Sequence, residues 1–550
     1  MGNKINVNVN GLFSVNYDSG VTIEEISHDY KKVTGKYVVG AKINDVIMDF
    51  DTKIYDDTTI NFFDYTTYEG NKMYQSGLKY ITIMAAKEIW NKEVYFKYSL
   101  DKGVYAEVDK KLSEKDIINL KAKMHDIADY GYKINKCVVS KEDAIKYYRA
   151  IGAIEKAKNI KNIPNSFVEL FELNHNYNYF YSEMPPSTKE LNLFNVERVG
   201  SRGFVLTYPR NDLGNQIPLF NYNQKIYEEL LSYSKWAEKL NVDFVASLNE
   251  IVSASKIQMF IKMNNIYIND KLYETAKEIS KNKNIKLVLI GGPSSSGKTT
   301  SSKKICTYLE AYGLKPIVLS ADDYFKERVD CPKDKNGNYN FEGLEALDLE
   351  LFNNQLKDLI AGKEVKTPTF NFVTGEKEYV KDPIKMSEEN ILIIEGLHCL
   401  NDKMTNRIAR VNKYKILVCP FTPLGVDRHN HLSTNDMRLL RRIVRDNRTR
   451  GKSVEYTLKA WKTVKDGENK YIFPYENDID AVLNTAFSYE VGVLRVYVEP
   501  LLYSVPLHSE YYDESRRLLG AIRTFFPISS EYIEDDNILR EFIGGSIYES

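Results

Sequence analysis

The first 64 residues alternate between apolar and polar positions in short runs separated by turn residues. The run INVNVNG, residues 5–11, alternates with a period of two, which predicts a β-strand. After an Asp-Ser-Gly turn, VTIEEISHDY has helical spacing, and Thr22 is predicted to be its N-cap. A second hairpin-like stretch follows, with turn signals at 44–45 and 56–57. Residues 1–66 are therefore predicted to form a compact ubiquitin-like β-grasp domain.

The pattern changes after this segment. Residues 67–210 mix helical spacing with short aromatic strands, which predicts an α+β domain. Residues 211–284 contain several amphipathic helical patterns, which are interpreted as a helical connector. Because no period of 20 to 50 residues recurs, a solenoid is not supported.

An apolar strand, a glycine-rich turn and an amphipathic helix follow one another from Lys286 onward, in KLVLIGGPSSSGKTTSSKKICTYLEAYG. Residues 292–299 match the pattern G-x-x-x-x-G-K-[ST] of a phosphate-binding loop. The strand before the loop and the helix after it make a plain Gly/Ser-rich loop the weaker interpretation. We therefore predict an α/β multidomain chain with a P-loop NTPase parallel sheet in residues 285–550.

Composition excludes several classes of protein. At 550 residues the chain is too long for one hydrophobic core. Its 75 basic and 76 acidic side chains nearly cancel, so no overall field attracts nucleic acid or an anionic membrane. No signal-peptide core and no run of about 18 apolar residues is present, which predicts a cytoplasmic protein without a membrane partner. The five cysteines contain no C-x-x-C pair, as expected in a reducing compartment without structural zinc.

Each residue type in the loop has a mechanical role. Gly292 and Gly297 allow the backbone to approach the phosphates, and the N–H groups at the start of the helix point at the anion. Lys298 supplies a charge for the β- and γ-phosphates, and Thr299 a hydroxyl for Mg²⁺, so ATP and Mg²⁺ are the predicted cofactors. The loop alone does not distinguish an NTPase from a kinase. The predicted nucleotide-binding residues are Gly292, Pro293, Ser294, Ser295, Ser296, Gly297, Lys298, Thr299 and Thr300.

Two later strand ends carry acids, and ligands of doubly wound sheets collect at such ends. The run KPIVLSADDYF brings Asp322 and Asp323 to one end, and ENILIIEGLHCL brings Glu395 to another. Transfer of a phosphoryl group to a hydroxyl requires a carboxylate base, and Mg²⁺ requires oxygen ligands. Asp322 suits the first role and Glu395 the second, although each could instead cap a turn or helix. His398 is left out of the catalytic set, because a single histidine is more often structural.

A basic segment, DMRLLRRIVRDNRTRGK, follows at residues 436–452. Its arginines recur at spacings of three and four and fall on one side of a helix, where they can surround phosphates once a lid closes. The alternatives are a solvated charged face or a nucleic-acid contact. The catalytic set predicted from these patterns is Asp322, Lys298, Arg438, Arg442 and Arg445.

Residues 286–487 resemble the uridine kinase and phosphoribulokinase family. The similarity lies in ordered motifs: GPSSSGKTT, LSADDYF, NFEGLEALD, ILIIEG and DMRLLRRIVRD. This resemblance implies that Asp322 is the general base, that Glu395 and Thr299 hold Mg²⁺, and that the three arginines contact phosphate. It also implies that Glu342 binds the sugar hydroxyls. The predicted substrate-binding residues are Asp322, Phe325, Glu342 and Phe370.

The chain departs from the family pattern in the acceptor region. Uridine kinases have a Tyr-Asp-Phe stretch followed by a histidine that contacts the pyrimidine. This chain has Phe370, Asn371 and Phe372, and then Gly375. Because specificity depends on polar groups that a wrong ligand leaves unpaired, the sequence leaves open which nucleobase the acceptor carries.

The N-terminal half resembles the front of threonyl-tRNA synthetases. Residues 1–66 are similar to a TGS domain, and residues 67–210 to the editing-type domain that follows it. The approximate alignment places Ser76, Tyr80, Phe180 and Met184 where the editing domains carry their His and Cys residues. These side chains cannot reproduce that ligand chemistry, so the domain is expected to be catalytically silent.

These observations favour ATP-dependent phosphorylation of a nucleoside 5′-hydroxyl, uridine-like or cytidine-like. Two alternatives stay open: an RNA- or ribosome-associated regulatory NTPase, and a kinase for another sugar or phosphosugar. The near-neutral charge disfavours nucleic acid as a partner without excluding a contact through the N-terminal half. The sequence also leaves open a homo-oligomer.

Overall fold

The computed structural model describes residues 4–332, 343–371, 374–422 and 424–548. Within them, six mixed or antiparallel sheets precede or flank one parallel sheet that carries the phosphate-binding loop. No helix in this described part of the chain combines the length and apolar character that a bilayer crossing demands.

The N-terminal segment is a five-stranded mixed sheet with one helix. Its strand order is β2-β1-β7-β4-β5, and β1 runs parallel to β7 and antiparallel to β2. The predicted N-cap is confirmed, because Thr22 and Glu25 form a reciprocal capping box at the start of α1. The elements are β1 Lys4–Val9, β2 Phe13–Asp18, β3 Val21–Thr22, α1 Ile23–Thr34, β4 Gly40–Ile43, β5 Val46–Met48, β6 Lys53–Ile54 and β7 Thr58–Phe63.

The second segment contains a four-stranded sheet, a three-stranded sheet and four helices. The long helix α2 buries its apolar positions against both α3 and the four-stranded sheet. The domain types assigned to the N-terminal half by resemblance stay predictions. The elements are α2 Tyr68–Trp90, β8 Val94–Leu100, β9 Gly103–Val108, α3 Glu114–Tyr130, β10 Ile134–Ser140, α4 Lys141–Ala150, α5 Ile154–Asn162, β11 Phe167–Leu173, β12 Asn176–Asn178, β13 Asn195–Val199 and β14 Gly203–Thr207.

Three helices link this half to the parallel sheet: α6 Gln224–Lys239, α7 Val245–Ser253 and α8 Ile257–Lys281. Phe260, Ile268 and Leu272 of α8 are buried in the same hydrophobic core as the sheet residues Val288 and Ile416. The helices that the sequence marked as a connector are thus packed directly on the parallel sheet.

The C-terminal sheet has five parallel strands in the order β16-β21-β15-β22-β23. This is the arrangement expected of a P-loop kinase, with both faces of the sheet buried. The elements are β15 Leu287–Gly291, α9 Lys298–Ala311, β16 Lys315–Ser320, α10 Leu349–Ile360, β17 Glu364–Val365, β18 Thr369–Asn371, β19 Glu376–Glu378, β20 Ile384–Lys385, β21 Asn390–Glu395, β22 Lys413–Cys419, α11 Thr434–Arg450, α12 Val454–Tyr471, β23 Ala481–Asn484, α13 Glu490–Tyr503, α14 Tyr512–Ile522 and α15 Arg540–Ile543.

Candidate active site

The loop between β15 and α9 depends on its two glycines. A Cβ atom on Gly292 would lie 2.1 Å from the carbonyl oxygen of Val418, so no side chain fits there. Gly297 has φ +86°, a left-handed conformation that glycine adopts without strain, and it is the N-cap of α9 without a side-chain cap. The start of α9 therefore presents its backbone N–H groups at the positive end of a helix, which is an anion-binding arrangement.

The Lys298 ammonium contacts the backbone of the phosphate-binding loop. Its Nζ donates a hydrogen bond to the carbonyl oxygen of Pro293 at 3.0 Å. Burial lowers the pKa of Lys298, and the negative charges of Glu395, Glu541 and Glu468 oppose that shift. The lysine thus places a positive charge beside the N–H groups of the loop.

Thr299 and Glu395 are in direct contact. Glu395 is the last residue of β21 and is paired with Ile290 of β15. The Thr299 hydroxyl donates to the two carboxylate oxygens of Glu395 at 2.9 and 3.2 Å. Burial raises the pKa of Glu395, while Lys298 and Thr299 act in the opposite direction. A hydroxyl beside a carboxylate fits Mg²⁺, which prefers oxygen ligands and keeps several waters. The described residues contain no group of three or more His, Cys, Asp or Glu side chains arranged to hold a metal by themselves.

Asp322 lies in a short 3₁₀ turn, Ala321–Tyr324, directly after β16. The last residue of β16, Ser320, is paired with Glu395 on β21, so the two predicted acids come from adjacent strand ends. Although solvent reaches Asp322, partial burial raises its pKa; the charge of Asp323 adds to this effect and that of Lys298 opposes it. Asp322 is therefore electrostatically coupled to the lysine of the phosphate-binding loop.

The neighbouring acid, Asp323, is committed to local structure. Its carboxylate accepts hydrogen bonds from the backbone N–H of Phe370 at 3.3 Å and from Lys381 at 2.7 Å. Within the described residues, the carboxylate of Asp322 accepts no such bond. Of the adjacent pair, Asp322 is thus the residue whose carboxylate is available for chemistry.

The predicted substrate residues occupy different environments. Phe325 and Phe370 are buried, and their ring centroids lie 5.6 Å apart, so they form an aromatic wall. Glu342 lies outside the described residues. Gly375 has φ +80°, and a Cβ atom there would lie 2.8 Å from the Arg328 side chain. This position therefore has no room for a side chain that reads a base.

The predicted arginine row lies on α11 and already contacts the phosphate-binding loop. Arg438 donates to the Ser294 carbonyl oxygen at 2.9 Å, and Arg442 donates to the Ser294 hydroxyl at 2.9 Å. Arg445 donates to the Ser295 hydroxyl at 3.2 Å. In this conformation α11 is packed against the loop, and no further closure is needed to bring the three arginines to it.

Several carboxylates that pair with arginines of α11 were not predicted from the sequence. Glu468 on α12 pairs with Arg438 and accepts the backbone N–H of Ser294 at 2.8 Å. Arg441, which is fully buried, pairs with Glu490. These carboxylates lie between 30 and 174 residues from their partners, and no local motif marks them.

The start of α11 is anchored from other parts of the chain. The buried Asp436 accepts two hydrogen bonds from Arg517 of α14, at 2.6 and 3.2 Å, and lies 3.9 Å from Lys72 of α2. Burial alone would raise the pKa of Asp436, but Arg517 and Lys72 hold it well below its usual value. The arginine row is thus positioned partly by the N-terminal half.

The four positions aligned with synthetase editing residues are buried or partly buried. Tyr80 and Phe180 have ring centroids 5.4 Å apart, and Ser76 is buried on α2. Tyr80 and Met184 belong to the hydrophobic core of the second segment, and Phe180 packs against it.

Comparison with known proteins gives matches in the C-terminal region. Residues 287–491 match the family described as "Phosphoribulokinase / Uridine kinase family". A uridine kinase of Ligilactobacillus salivarius is 28% identical over 215 residues, which span 38% of this chain and 92% of that protein. A uridine kinase of Staphylococcus haemolyticus is 28% identical over 211 residues, with the same two coverages.

Two solved structures also align with this region. A putative fructose transport system kinase from Silicibacter is 16% identical, with a TM-score of 0.29, over 38% of this chain and 98% of the other. A possible uridine kinase from Bacillus stearothermophilus is 20% identical, with a TM-score of 0.22, over 36% and 89%. The sequence similarities support a phosphotransferase of the uridine kinase type in residues 287–491, without fixing its acceptor.

Proposed function

We propose that this protein transfers the γ-phosphoryl group of ATP to the 5′-hydroxyl of a nucleoside. One observation carries the proposal: the Thr299–Glu395 contact and the Lys298–Asp322 coupling join one phosphate-binding loop to two adjacent strand ends. This arrangement places a site for the triphosphate and a base for the acceptor at adjacent strand ends of one sheet. Phosphoryl transfer depends mainly on such positioning and charge stabilisation.

The triphosphate is bound by the N–H groups at the start of α9 and by Lys298, which leaves the Pro293 carbonyl to meet it. Thr299 and Glu395 would hold Mg²⁺, which would neutralise negative charge on the phosphates. Arg442 and Arg445 contact serine hydroxyls at the loop, where they are in reach of negative charge that develops during transfer.

Asp322 accepts the proton of the attacking hydroxyl in this mechanism. Its raised pKa brings the carboxylate closer to the operating pH and makes it a stronger base than an ordinary aspartate. Asp323 assists indirectly, because its charge raises the pKa of Asp322 and its hydrogen bonds hold the turn to β18. The wall of Phe325 and Phe370 then borders the acceptor side.

The proposed acceptor, a nucleoside, is a more specific claim than the proposed reaction, phosphoryl transfer to a hydroxyl. The missing side chain at Gly375 favours a nucleoside whose base is recognised by other residues, and a sugar or phosphosugar acceptor is the second candidate.

We also propose that residues 1–66 are a TGS-like domain and residues 67–210 a synthetase-like domain without editing chemistry. The ring contact between the buried Tyr80 and the partly buried Phe180 supports the latter.

An acceptor screen tests the proposed function. The purified chain is incubated with ATP, Mg²⁺ and separate nucleosides, sugars and phosphosugars, and mass spectrometry identifies the compound that gains a phosphate. Lys298→Met is the control, and its product should be at least about a hundredfold lower because the phosphate charge is no longer matched. A phosphorylated sugar in place of a nucleotide would select the second candidate. ATP hydrolysis without any phosphorylated acceptor would contradict both.

A further inference from the structure

A carboxylate of the protein lies at the phosphate-binding end of α9. Glu541 on α15 accepts a hydrogen bond from the Thr300 hydroxyl at 3.0 Å and from the Thr300 backbone N–H at 3.4 Å. Its other oxygen lies 3.5 Å from the Arg445 guanidinium. Glu541 thus bridges a backbone amide of the phosphate-binding helix and an arginine of α11.

The segment that carries Glu541 lies beyond residues 287–491, the part of the chain that matches the kinase family. It is nevertheless packed into the kinase core, since Leu539 and Phe542 are buried. Arg448 donates to the carbonyl oxygens of Phe542 and Glu541 at 3.2 and 3.4 Å. These contacts fix the backbone of α15, so a change at Glu541 involves its side chain.

The groups that hold Glu541 are groups that also suit a phosphate. The N–H groups in the first turn of a helix and a nearby arginine form an anion-binding arrangement. Burial lowers the pKa of Arg445, and Glu541 is the largest opposing influence. The Glu541 charge also acts on Lys298 and Glu395, the two residues expected closest to the phosphates and Mg²⁺. A triphosphate in this loop therefore meets a negative charge that the protein itself supplies.

We propose that Glu541 is an internal competitor for nucleotide phosphate, which occupies Thr300 and Arg445 until a polyphosphate displaces its side chain. The C-terminal segment thereby weakens nucleotide binding and sets the ATP concentration at which the site fills. When the nucleotide binds, Glu541 gives up the Thr300 amide and Arg445 to a phosphate oxygen. This inference rests on the proposed function, because it concerns the same phosphate site.

The test is Glu541→Gln, which keeps the size and the hydrogen-bonding oxygen of the side chain but removes its charge. Pyrophosphate and ADP binding to the full chain is measured by isothermal titration calorimetry, without any acceptor. We expect both ligands to bind at least about tenfold more tightly than to the wild type, equal to about 1.4 kcal/mol. Glu531→Gln removes one charge from an exposed position of the same segment and should leave both affinities within about twofold, as expected for a screened surface charge.

Weaker or unchanged binding to Glu541→Gln would overturn the proposal, because Glu541 would then support the site or have no part in it. If that variant does not purify in folded form, Glu541→Ala replaces it with the same expected tightening. The result is separable from the proposed transferase activity. Loss of ligand binding in every variant and in the wild type counts against the proposed function, whereas normal binding without tightening counts against the Glu541 competitor alone.

Discussion

The two sides of the candidate site are built in different ways. On the phosphate side, charged pairs from distant parts of the chain hold the loop, including Arg438 with Glu468 and Arg441 with Glu490. On the acceptor side, Asp322 stands on a short turn beside an aromatic pair. The phosphate side therefore depends on tertiary ion pairs, whereas the acceptor side depends on a local turn and one available carboxylate.

This difference has a physical explanation. A polyphosphate is the same ligand in every turnover, so a rigid set of charges can be preorganised for it. Buried ion pairs are costly unless both partners remain, which makes the phosphate side sensitive to the loss of any one charge. The acceptor side has fewer charged contacts, and its variants should change transfer more than they change folding.

The largest expected effect is a loss of kcat that distinguishes Asp322 from its neighbour Asp323. Asp322→Asn should lower kcat by about 10²- to 10⁴-fold, because the proton of the hydroxyl loses its acceptor, while ADP affinity stays within about threefold. Asp323→Asn keeps the base and should retain far more activity. Steady-state kinetics and calorimetric ADP binding measure both. Loss of ADP binding in Asp322→Asn would instead assign Asp322 to the metal site.

The second prediction concerns stability on the phosphate side. Arg441→Met should lower the free energy of unfolding by about 3–5 kcal/mol, because Glu490 is left as a buried, unpaired charge. Arg450→Met, which removes an exposed arginine from the same helix, should cost less than about 1 kcal/mol. Urea denaturation followed by circular dichroism compares the two. Recovery of stability in the double variant Arg441→Met/Glu490→Leu is expected, and no recovery would mean that the loss has another origin.

The third prediction uses pH. The transfer rate should fall as pH decreases through the pKa of Asp322, which burial raises above the usual aspartate value, because only the ionised carboxylate accepts a proton. Removing the Asp323 charge lowers that pKa, so the acid limb of the kcat/KM profile should move to lower pH in Asp323→Asn. A limb that stays in place or moves to higher pH would show that another group controls it.

The smallest expected effect lies in the aromatic wall. Phe370→Leu removes the ring contact with Phe325 and should raise the KM for the acceptor by no more than about tenfold. The KM for ATP should not change, because the Phe370 ring is packed in the hydrophobic cluster that also contains Phe325. Parallel changes in both KM values would show that the two sides of the site are not independent.

The local sequence was sufficient to predict those structural elements whose sequence signals lie within a few residues of one another. The capping box at Thr22 and the strand, loop and helix around Gly292 follow from local pattern, because each requires specific backbone geometry over a short span. The parallel C-terminal sheet follows from the same signals together with apolar strands that end in acids. The kinetic variants above test the predicted role of Asp322, whereas the roles of Glu395 and of the arginines stay predictions.

The sequence by itself determined the phosphate-binding loop, because a tight turn, a helix end and a lysine must be adjacent along the chain. Tertiary structure alone decided which carboxylates surround that loop. Glu468 and Glu541 lie 174 and 241 residues from the loop residues they contact, and nothing near them in sequence marks this role. The physical reason is that charge pairing depends on distance in space, which is set when α11, α12 and α15 pack against the sheet.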